Sequence, residues 1–468
     1  MRRSASGSCS RTSRNVARSR SCRPGSTRRG NRAVLPRSGQ DMRRGTVVIV
    51  EPYSSGNMLA PAFRQGGFSP CAVTLSGLSA PNSATLRLSD FDEHIAYDGG
   101  ELGPPVGRLR ALDPVAIVPG THTGVKLADE LAAVLTPKLA NAPDLGSARH
   151  HKGDMIAAVA AADLPTIRSL CTSDVGDALT WITRERLSGR DLVVKPVDSA
   201  GTDSVRFVPG GHDLRAVVTG LLGSANRYGS PISEVLVQEH VKGVEYAVDT
   251  FSYEGRHTVN DIVRYHKVSS RRHIALYASM EILPMDAPGN DAIIGYVKGA
   301  LDALGITFGA AHTEVMVTED GPLLIEVNAR LSGGGHPWTC ELATGDNSVD
   351  RMVRYLAGDR NIPDGYPLQL TTLAIFFAVR SAGVVSGLSR LDAIVDLPSC
   401  YHLQVNVQDG DYVPETSDLF DAQRLGMAVL AHSDPAQVAA DHREVRRIAA
   451  EAGRPGGFTI DPNRGGME

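Results

Sequence analysis

The residues best suited to chemistry lie in one segment, His312–Gly335, which reads HTEVMVTEDGPLLIEVNARLSGGG. Two runs of alternating apolar residues flank a Glu-Asp-Gly sequence, and this pattern predicts a β-hairpin. With a three-residue loop at 319–321, the register places Glu314 directly opposite Glu326. Two carboxylates would then meet on one surface of the hairpin.

Side chains alternate across a strand, so Glu326, Asn328 and Arg330 share that surface. Carboxylate and amide oxygens suit a hard cation such as Mg²⁺, which usually keeps waters and bridges to phosphates. Arg330 would lie where a guanidinium can hold phosphate or a developing anion. The alternative is a half-exposed strand whose polar residues simply face water.

A second candidate region begins at Lys195, which ends an apolar strand and precedes the loop SAGTDS. A lysine beside a flexible loop that offers backbone N–H groups is suited to phosphate. Ser199, Gly201 and Thr202 belong to this loop, which lacks the spacing and the Gly-Lys-Ser/Thr end of a Walker A loop. The alternative is an ordinary turn.

The segment VLVQEHVKGVEYAVD carries groups that suit a nucleoside. Residues 238–241 follow a strand, and backbone groups in such a connector can hydrogen-bond an adenine edge. Glu245 lies on the next strand, where a carboxylate suits ribose hydroxyls. The alternative for Glu245 is an exposed side chain on a half-buried strand.

These residues must be positioned by a mixed α/β fold. From Thr46 onward, short apolar strands such as TVVIVEP and VAIVPG alternate with helical stretches, which predicts a doubly wound parallel sheet ending near Ala148. No G-x-G-x-x-G follows the first strand, so a dinucleotide is not indicated. Further along we expect helices at 288–304 and 420–430 and β-rich structure from Leu368.

The 468 residues are enough to bury cores for two or three domains. Six cysteines are scattered without metal-ligand spacing, and so few cysteines in a long chain favour a reducing, cytoplasmic location. No apolar run is long enough to cross a bilayer, so no membrane partner is expected.

Residues 1–44 differ in composition from the rest of the chain. They hold thirteen Arg, one Asp and no Lys or Glu, a net charge of +12 that leaves −16 on the remainder. Without apolar periodicity the segment cannot build a core and is predicted to be disordered. A nucleic-acid-binding arm and a transit peptide are two interpretations. We favour a third, a start codon assigned too early, because Met42 immediately precedes a strand, and we expect no nucleic-acid partner.

Five segments, in this order, resemble the ATP-grasp superfamily, and within it the L-amino-acid ligases and other carboxylate–amine ligases: VPGTHTGVKLADELA, HKGDMIAAVAAADLPT, DLVVKPVDSAGTDSV, VQEHVKGVEYAVD and TEVMVTEDGPLLIEVNARLSGG. The resemblance implies ATP as the cofactor, with Mg²⁺ or alternatively Mn²⁺. It implies a set of nucleotide contacts, namely Lys152, Lys195, Ser199, Gly201, Thr202, Glu239, Val241 and Glu245. It further implies metal ligation by Glu314, Glu326 and Asn328, and a catalytic cation at Arg330.

The substrate contacts implied by the resemblance are less sharply marked. The run RYHKVSSRRHIALYAS precedes a substrate-facing strand in this family, so Arg271 or His273 could meet a substrate carboxylate, unless the run is a solvated loop. Gly333 and Trp338 could line an acyl pocket, although Trp338 is equally consistent with a buried aromatic. The chain reads PGTHTG where relatives often place an acid after the Gly, which could alter a contact to an amino group.

The implied fold class is α/β, and α+β in the nucleotide-binding part: an ATP-grasp fold with an N-terminal doubly wound parallel-sheet domain and a β-rich C-terminal domain. The predicted division has four parts: a disordered extension at 1–44, an α/β domain at 45–150, the ATP-grasp domain at 151–358 with a lid near 185–240, and an α+β domain at 359–468.

The implied activity is ATP-dependent amide formation between amino-acid-like substrates through an acyl phosphate, giving ADP and phosphate. The expected partners are a small-molecule carboxylate and an amine, with a homodimer as one option. Two alternatives stay open: an ATP-grasp enzyme with another acceptor, such as a carboxylase or a nucleotide-precursor ligase, and an ATP-binding regulator without turnover. No segment resembles a biotin carrier, which weakens carboxylation, and the complete residue set argues against the regulator.

Overall fold

The computed structural model of the chain describes residues 18–21, 44–76, 83–268 and 276–452. Its first strand is β1 (Arg18–Ser21). Strands and helices then alternate, with the bounds β2 (Thr46–Val50), α1 (Leu59–Gln65), β3 (Ser69–Leu75), β4 (Glu93–Tyr97), α2 (Gly103–Ala111), β5 (Pro114–Pro119) and α3 (Val125–Leu135).

The N-terminal sheet is parallel, with the strand order β4-β3-β2-β5. Val47 and Ile49 pack against α1, whereas Val48 and Val50 face the side covered by α2 and α3. Because successive side chains point to opposite faces, the near-continuous apolar run of β2 is buried on both sides. The predicted doubly wound sheet is confirmed.

A smaller antiparallel sheet follows α4 (Lys152–Ala161). Its elements are β6 (Ser169–Thr172), α5 (Val175–Arg184), β7 (Leu192–Pro196), β8 (Arg206–Val208), α6 (Leu214–Leu221) and β9 (Val235–Glu239). The strand order is β6-β9-β7-β8. Trp181, Val194 and Leu214 belong to one buried cluster that joins this sheet to α5 and α6. The unit includes the predicted lid region near 185–240 and begins before it.

The remaining strands belong mainly to one large sheet. Their bounds, with those of the intervening helices, are β10 (Val244–Tyr253), β11 (Arg256–Val268), β12 (Leu276–Ile282), α7 (Asn290–Ala303), β13 (Gly309–Thr318), β14 (Gly321–Asn328), α8 (His336–Thr344), α9 (Ser348–Leu356), β15 (Thr371–Phe376), β16 (Gly383–Val384), β17 (Cys400–Val405), β18 (Tyr412–Val413), α10 (Leu419–Leu425), β19 (Gly426–His432) and α11 (Pro435–Glu451). Nine strands pair in the order β1-β17-β19-β15-β12-β11-β10-β13-β14, while β16 and β18 pair separately.

The large sheet continues across residue 358, where a domain boundary was predicted, because β12 pairs with β15. The C-terminal elements nevertheless have an apolar cluster of their own, which includes Phe377, Leu430 and Val445. The boundary itself therefore stays a prediction, while the sheet is shared by both sides of it.

The N-terminal extension contributes β1, which pairs antiparallel with β17 and places Arg18 opposite Val405. The expectation of disorder over 1–44 is wrong for these four residues; the rest of the segment before Arg44 lies outside the described residues. Without β1, β17 would be an edge strand with unpaired backbone N–H and C=O groups. Such an edge can pair with an added strand whatever side chains that strand carries, which is why the apolar pattern of residues 1–44 did not predict β1.

The helix expected at 420–430 is also wrong in its second half, because α10 ends at Leu425 and β19 begins at Gly426. Gly426 has a φ of +128°, and a Cβ atom there would lie 2.1 Å from the backbone oxygen of Gln404. Only glycine allows the chain to change from helix to strand this close to β17. The helix expected at 288–304 matches α7.

The longest described helix, α11, has 17 residues and carries charged side chains along its length. Across the described ranges, no helix is both long and apolar enough to cross a membrane.

Candidate active site

A cavity of about 1060 Å³ lies where the three larger sheets meet. Its walls come from the loops after β2 and β5, from the small antiparallel sheet with its β7–β8 loop, and from strands β10 to β14. The C-terminal strands β15, β17 and β19 supply a further wall. A volume of this size suits a nucleotide together with a small substrate.

The hairpin of β13 and β14 borders the cavity. Its turn is one residue shorter than predicted, because Thr318 pairs directly with Gly321. A β-bulge at Ile325 compensates, so Glu314 still lies opposite Glu326. Bulges commonly redirect side chains beside functional sites.

The structure brings the predicted amide of Asn328 onto Glu326, and the guanidinium of Arg330 onto that amide. Asn328 Nδ2 donates to Glu326 Oε1 at 2.7 Å, and Asn328 Oδ1 accepts from Arg330 Nη2 at 2.8 Å. Arg330 also donates to the backbone oxygen of Leu331 at 2.6 Å. Glu314, Glu326 and Arg330 line the cavity, and Asn328 is buried.

Two buried lysines complete this cluster. Lys152 Nζ lies 3.0 Å from Glu326 Oε2 and also donates to the backbone oxygen of Ser199. Lys195 Nζ donates to the backbone oxygen of Ile325 at 3.4 Å. Burial and the neighbouring Lys152 lower the pKa of Lys195 to about 8. Burial would raise the pKa of Glu326, but Lys152 and Lys195 lower it to about 2.

Lys152 is the first residue of α4, and the N-cap His151 accepts at Nδ1 from the backbone N–H of Asp154 at 3.2 Å. The side chain therefore emerges at a helix N-terminus, where the helix dipole favours anions. The two lysines, Arg330 and this helix end make one end of the cavity suitable for phosphate groups.

The predicted small-residue loop lies against the same end. Ser199 Oγ donates to Asp203 Oδ2 at 2.7 Å, and Thr202 Oγ1 donates to the backbone oxygen of Gly201 at 2.7 Å. Gly201 and Thr202 both have left-handed backbone, with φ of +70° and +60°. A non-glycine residue in that region is uncommon and is held by its surroundings.

The adenine and ribose candidates lie at another side of the cavity. Glu239 and Val241 line it, but the Glu239 carboxylate is bonded by Arg168 Nε at 2.9 Å. Glu245 is buried, accepts from Tyr277 Oη at 2.9 Å and contacts Lys267 Nζ. Burial raises the pKa of Glu245, although Lys267 opposes this shift.

Arg271 and His273 lie outside the described residues, so their suggested substrate contact stays a prediction. Lys267, from the same predicted run, reaches the site and contacts Glu245. His266, its neighbour, lies 3.1 Å from Glu281 Oε2.

The PGTHTG loop after β5 meets the small-residue loop. His122 Nε2 lies 3.2 Å from Asp198 Oδ1, and the His122 ring stacks on Tyr228 with centroids 6.2 Å apart. Burial lowers the pKa of His122, so the ring tends to be uncharged. The PGTHTG loop thus presents an imidazole to the cavity.

Gly333 and Trp338 both line the cavity. A Cβ atom at Gly333 would have nothing within 4 Å, so open space lies beside it. Trp338 packs against Tyr401 and His402, with ring centroids 5.6 and 5.7 Å away. Trp338 is therefore both a packed aromatic and part of the cavity wall.

A row of polar residues missed from the sequence crosses four strands next to the two glutamates. Asp261, Asp249, His312 and Asn328 lie opposite one another on β11, β10, β13 and β14. His312 joins the row to the hairpin: its Nδ1 lies 2.9 Å from Asp249 Oδ1, and its Nε2 lies 3.3 Å from Glu314 Oε1. Burial lowers the pKa of His312, but Asp249 outweighs it and raises that pKa to about 9.

His336, the first residue of α8, lies above the two aspartates of the row. Its Nε2 is 3.0 Å from Asp249 Oδ2 and 2.9 Å from Asp261 Oδ2. Strand alternation could have found His312, which is two residues before Glu314. No local pattern marks the two aspartates, because their proximity depends on strand pairing.

Comparison with known proteins gives concordant matches. The family model of the ATP-grasp domain matches residues 189–337. Dapdiamide A synthase of Enterobacter agglomerans is 26% identical over 417 residues, which cover 86% of this chain and 96% of that protein. The crystal structure of an L-amino acid ligase from Bacillus licheniformis superposes with a TM-score of 0.66 at 18% identity, covering 86% of this chain and 97% of the other.

A second solved structure, N5-carboxyaminoimidazole synthetase from Staphylococcus aureus in complex with ADP, gives a TM-score of 0.61 at 11% identity, with 86% and 97% covered. Both structural likenesses lie below 25% identity and show the shared fold. Together with the matched domain, they show that the chain contains an ATP-grasp domain and has the ATP-grasp fold, and its similarities include an L-amino acid ligase and dapdiamide A synthase. The resemblance read from the sequence is confirmed at this level, as is the ATP-grasp fold.

Proposed function

We propose that this ATP-grasp ligase joins a carboxylate and an amine, both amino-acid-like, into an amide through an acyl phosphate, giving ADP and phosphate. The observation that carries the proposal is the cluster of Lys152, Glu314, Glu326 and Arg330 at one end of the cavity. The similarity of the whole chain to dapdiamide A synthase, which extends over most of both proteins, supports an amide product.

The phosphate groups of ATP are assigned to the lysine end of the cavity. Lys152 and Lys195 would offset their charge, and Arg330 would hold the transferring phosphoryl group. Buried Lys195 has a pKa lowered to about 8 by burial and by Lys152, so it lacks sufficient negative partners in the nucleotide-free protein. A bound polyphosphate would supply them.

The donor set fits Mg²⁺. Like charges directly opposite on paired strands repel each other, and Glu314 and Glu326 form such a pair. With Asn328 these residues offer the oxygen ligands that Mg²⁺ prefers, and Mn²⁺ accepts the same type of ligand. The cation, when bound, supplies positive charge against the phosphate oxygens.

The nucleoside is assigned to the connector after β9 and to β10. Backbone groups of Glu239 and Val241 would bind the adenine edge, and Glu245 would accept from ribose hydroxyls. Ser199, Gly201 and Thr202 would cover the phosphates. A covered site excludes water and protects an acyl phosphate from hydrolysis.

Two transfers complete the proposed reaction. An oxygen of the substrate carboxylate forms a bond to the γ-phosphorus as the bond to the β-phosphate oxygen breaks, and ADP leaves. The neutral amine then forms a bond to the acyl carbon as the bond from that carbon to the phosphate oxygen breaks. Phosphate leaves with the bonding electron pair and takes up the proton that the amine loses, so the products are the amide and hydrogen phosphate. Arg330 would stabilise the anionic groups of both steps.

Phosphorus NMR of reaction mixtures tests the proposal. Amino acids supplied singly and in pairs, with ATP and Mg²⁺, should give ADP and orthophosphate, and the amide should appear only when an amine is present. Hydroxylamine should trap the acyl phosphate as a hydroxamate in mixtures that contain the carboxylate substrate alone. Pyrophosphate as the main product would refute the acyl-phosphate mechanism. ADP formation that depends on bicarbonate and needs no amine would favour a carboxylase instead.

We further propose a reducing, cytoplasmic location, because Cys71, Cys171 and Cys340 carry no disulfide bond. A homodimer and the domain limits at 45–150, 151–358 and 359–468 stay proposals of the same kind.

A further inference from the structure

The C-terminal strands, α8 and α10 build a further wall of the cavity. Gln404, Met427 and Phe376 lie opposite one another on β17, β19 and β15, so they share one row and one face of the sheet. His402 lies two residues before Gln404 on the same face. With Trp338 and Gln423, these cavity-lining residues form what we term the C-terminal wall: Trp338, Phe376, His402, Gln404, Gln423 and Met427.

The C-terminal wall has a different chemistry from the phosphate end. Of the described cavity-lining residues between 338 and 427, none is Asp, Glu, Lys or Arg. Burial lowers the pKa of His402, so its imidazole is uncharged at neutral pH. The charged lining residues, such as Lys152, Lys195 and Arg330, come from the other walls.

The wall still offers hydrogen bonds, through two carboxamides. Gln404 Nε2 donates to Asn406 Oδ1 at 2.9 Å, which orients the Gln404 amide. Asn406 Nδ2 in turn donates to the backbone oxygen of Gln423 at 2.9 Å. The side chain of Asn406 thus connects the Gln404 amide to the backbone of Gln423.

The wall also reaches the reaction centre. Gln423 Nε2 would lie 2.8 Å from a Cβ atom built on Gly334, so the amide packs directly on the glycine-rich segment that follows Arg330. A molecule whose reacting group lies near Arg330 would therefore extend its remaining part along this wall.

We infer that the C-terminal wall is the subsite for the side chain of one substrate amino acid, and that this side chain is uncharged, either a carboxamide or an apolar group. The inference rests on the proposed function and names its substrate class. Moving a charge out of water onto a surface without a charged partner costs far more than moving a neutral group of the same shape. A wall without charged groups therefore disfavours a charged substrate side chain. The amides of Gln404 and Gln423 can still form hydrogen bonds with a neutral polar side chain.

Isosteric substrate pairs separate charge from size. We expect kcat/KM of the purified full chain to be about tenfold or more higher for glutamine than for glutamate, and for asparagine than for aspartate, whichever position the amino acid takes. Equal or better turnover of the charged member in both pairs would overturn the inference and leave the ligase function intact. Absence of ADP formation with every amino acid and pair would instead refute the proposed function.

A negative charge placed on the wall should shift the preference towards a positively charged side chain. Gln423→Glu is expected to raise the ratio of lysine to methionine turnover about tenfold or more, because the new carboxylate pairs with the ammonium. The matched control is Gln408→Glu, which makes the same change on an exposed residue of the C-terminal region outside the cavity and should leave the ratio unchanged. If Gln423→Glu fails to fold, Gln404→Glu tests the same wall. An unchanged ratio in a folded wall variant would overturn the inference.

Discussion

Replacing Lys195 by methionine should stabilise the nucleotide-free protein while removing its ability to bind ATP. The ammonium group of Lys195 is buried beside Lys152, and its pKa is lowered from 10.5 to about 8. Methionine keeps the length and apolar character of the side chain without the charge. If the Lys195 ammonium group serves to bind a polyphosphate, its charge should destabilise the folded protein when no nucleotide is bound.

The magnitude follows from the lowered pKa. Each pKa unit corresponds to about 1.4 kcal/mol, so the charged Lys195 lowers the free energy of unfolding by about 3 kcal/mol at neutral pH. Methionine also loses the long hydrogen bond to the Ile325 backbone oxygen, which contributes about 1 kcal/mol. The net stabilisation of Lys195→Met should be about 2 kcal/mol, which raises Tm by a few degrees in a chain of this size.

The pH dependence has a defined sign. Below pH 8 both the folded and the unfolded protein hold the proton on Lys195, so the full cost is present. Between pH 8 and 10.5 the unfolded chain holds more protons than the folded protein, so the wild type gains stability relative to the variant as pH rises. The advantage of Lys195→Met should therefore shrink across that window.

Thermal unfolding at several pH values, with and without ATP and Mg²⁺, measures both effects. ATP should raise the Tm of the wild type and leave that of Lys195→Met nearly unchanged. Lys138→Met, on an exposed lysine, is the control and should change neither value. A Lys195→Met protein that is less stable than the wild type at neutral pH, or that binds ATP equally well, would refute the reasoning.

Three further predictions concern the hairpin and the sheet. Glu326→Ala should fold but lose Mg²⁺-dependent ADP formation. The control Glu319→Ala, in the exposed turn of the same hairpin, should retain that activity. Wild-type turnover in Glu326→Ala would show that the two glutamates have only a structural role. His312→Gln should weaken Mn²⁺ binding about tenfold, as measured by electron paramagnetic resonance, because His312 orients Glu314. The control is His257→Gln, which changes a buried histidine that lies 3.0 Å from Asp302, and it should bind Mn²⁺ as the wild type does. A chain that begins at Met42 should keep its activity, because the hairpin strand β14 lies at the opposite edge of the large sheet from β1 and because β17 stays paired with β19 when β1 is removed. A large loss of turnover would show that β1 is needed to hold β17, which carries Gln404 of the cavity wall.

The residues of the hairpin were accessible from sequence because their arrangement is local. Glu326, Asn328 and Arg330 are spaced by two, and strand alternation alone places them on one side. The turn length was wrong by one residue, yet the bulge at Ile325 restored the pairing of Glu314 with Glu326. A bulge has no dependable sequence signal. The predicted pair was correct because the missing turn residue and the extra bulge residue cancel in the strand register.

The contacts around that hairpin were decided by tertiary structure. Lys152 meets Glu326 across a long stretch of chain, and Asp249 meets His312 only because β10 pairs with β13. Charges buried in this way alter one another's pKa values, which no residue spacing reveals.

The sequence by itself determined the parallel N-terminal sheet and the candidate metal ligands, since each depends on a periodicity within a short segment. It also carried the resemblance to the ATP-grasp superfamily, through five segments in the order that the family has them. Only the tertiary structure decided that β1 joins the edge of the large sheet and that the strands beyond residue 358 extend it to form the C-terminal wall. The physical reason is that strand pairing is made through backbone hydrogen bonds, which nearly any sequence can form. Which strands meet, and therefore which distant side chains share a cavity, is selected by the packing of the whole chain.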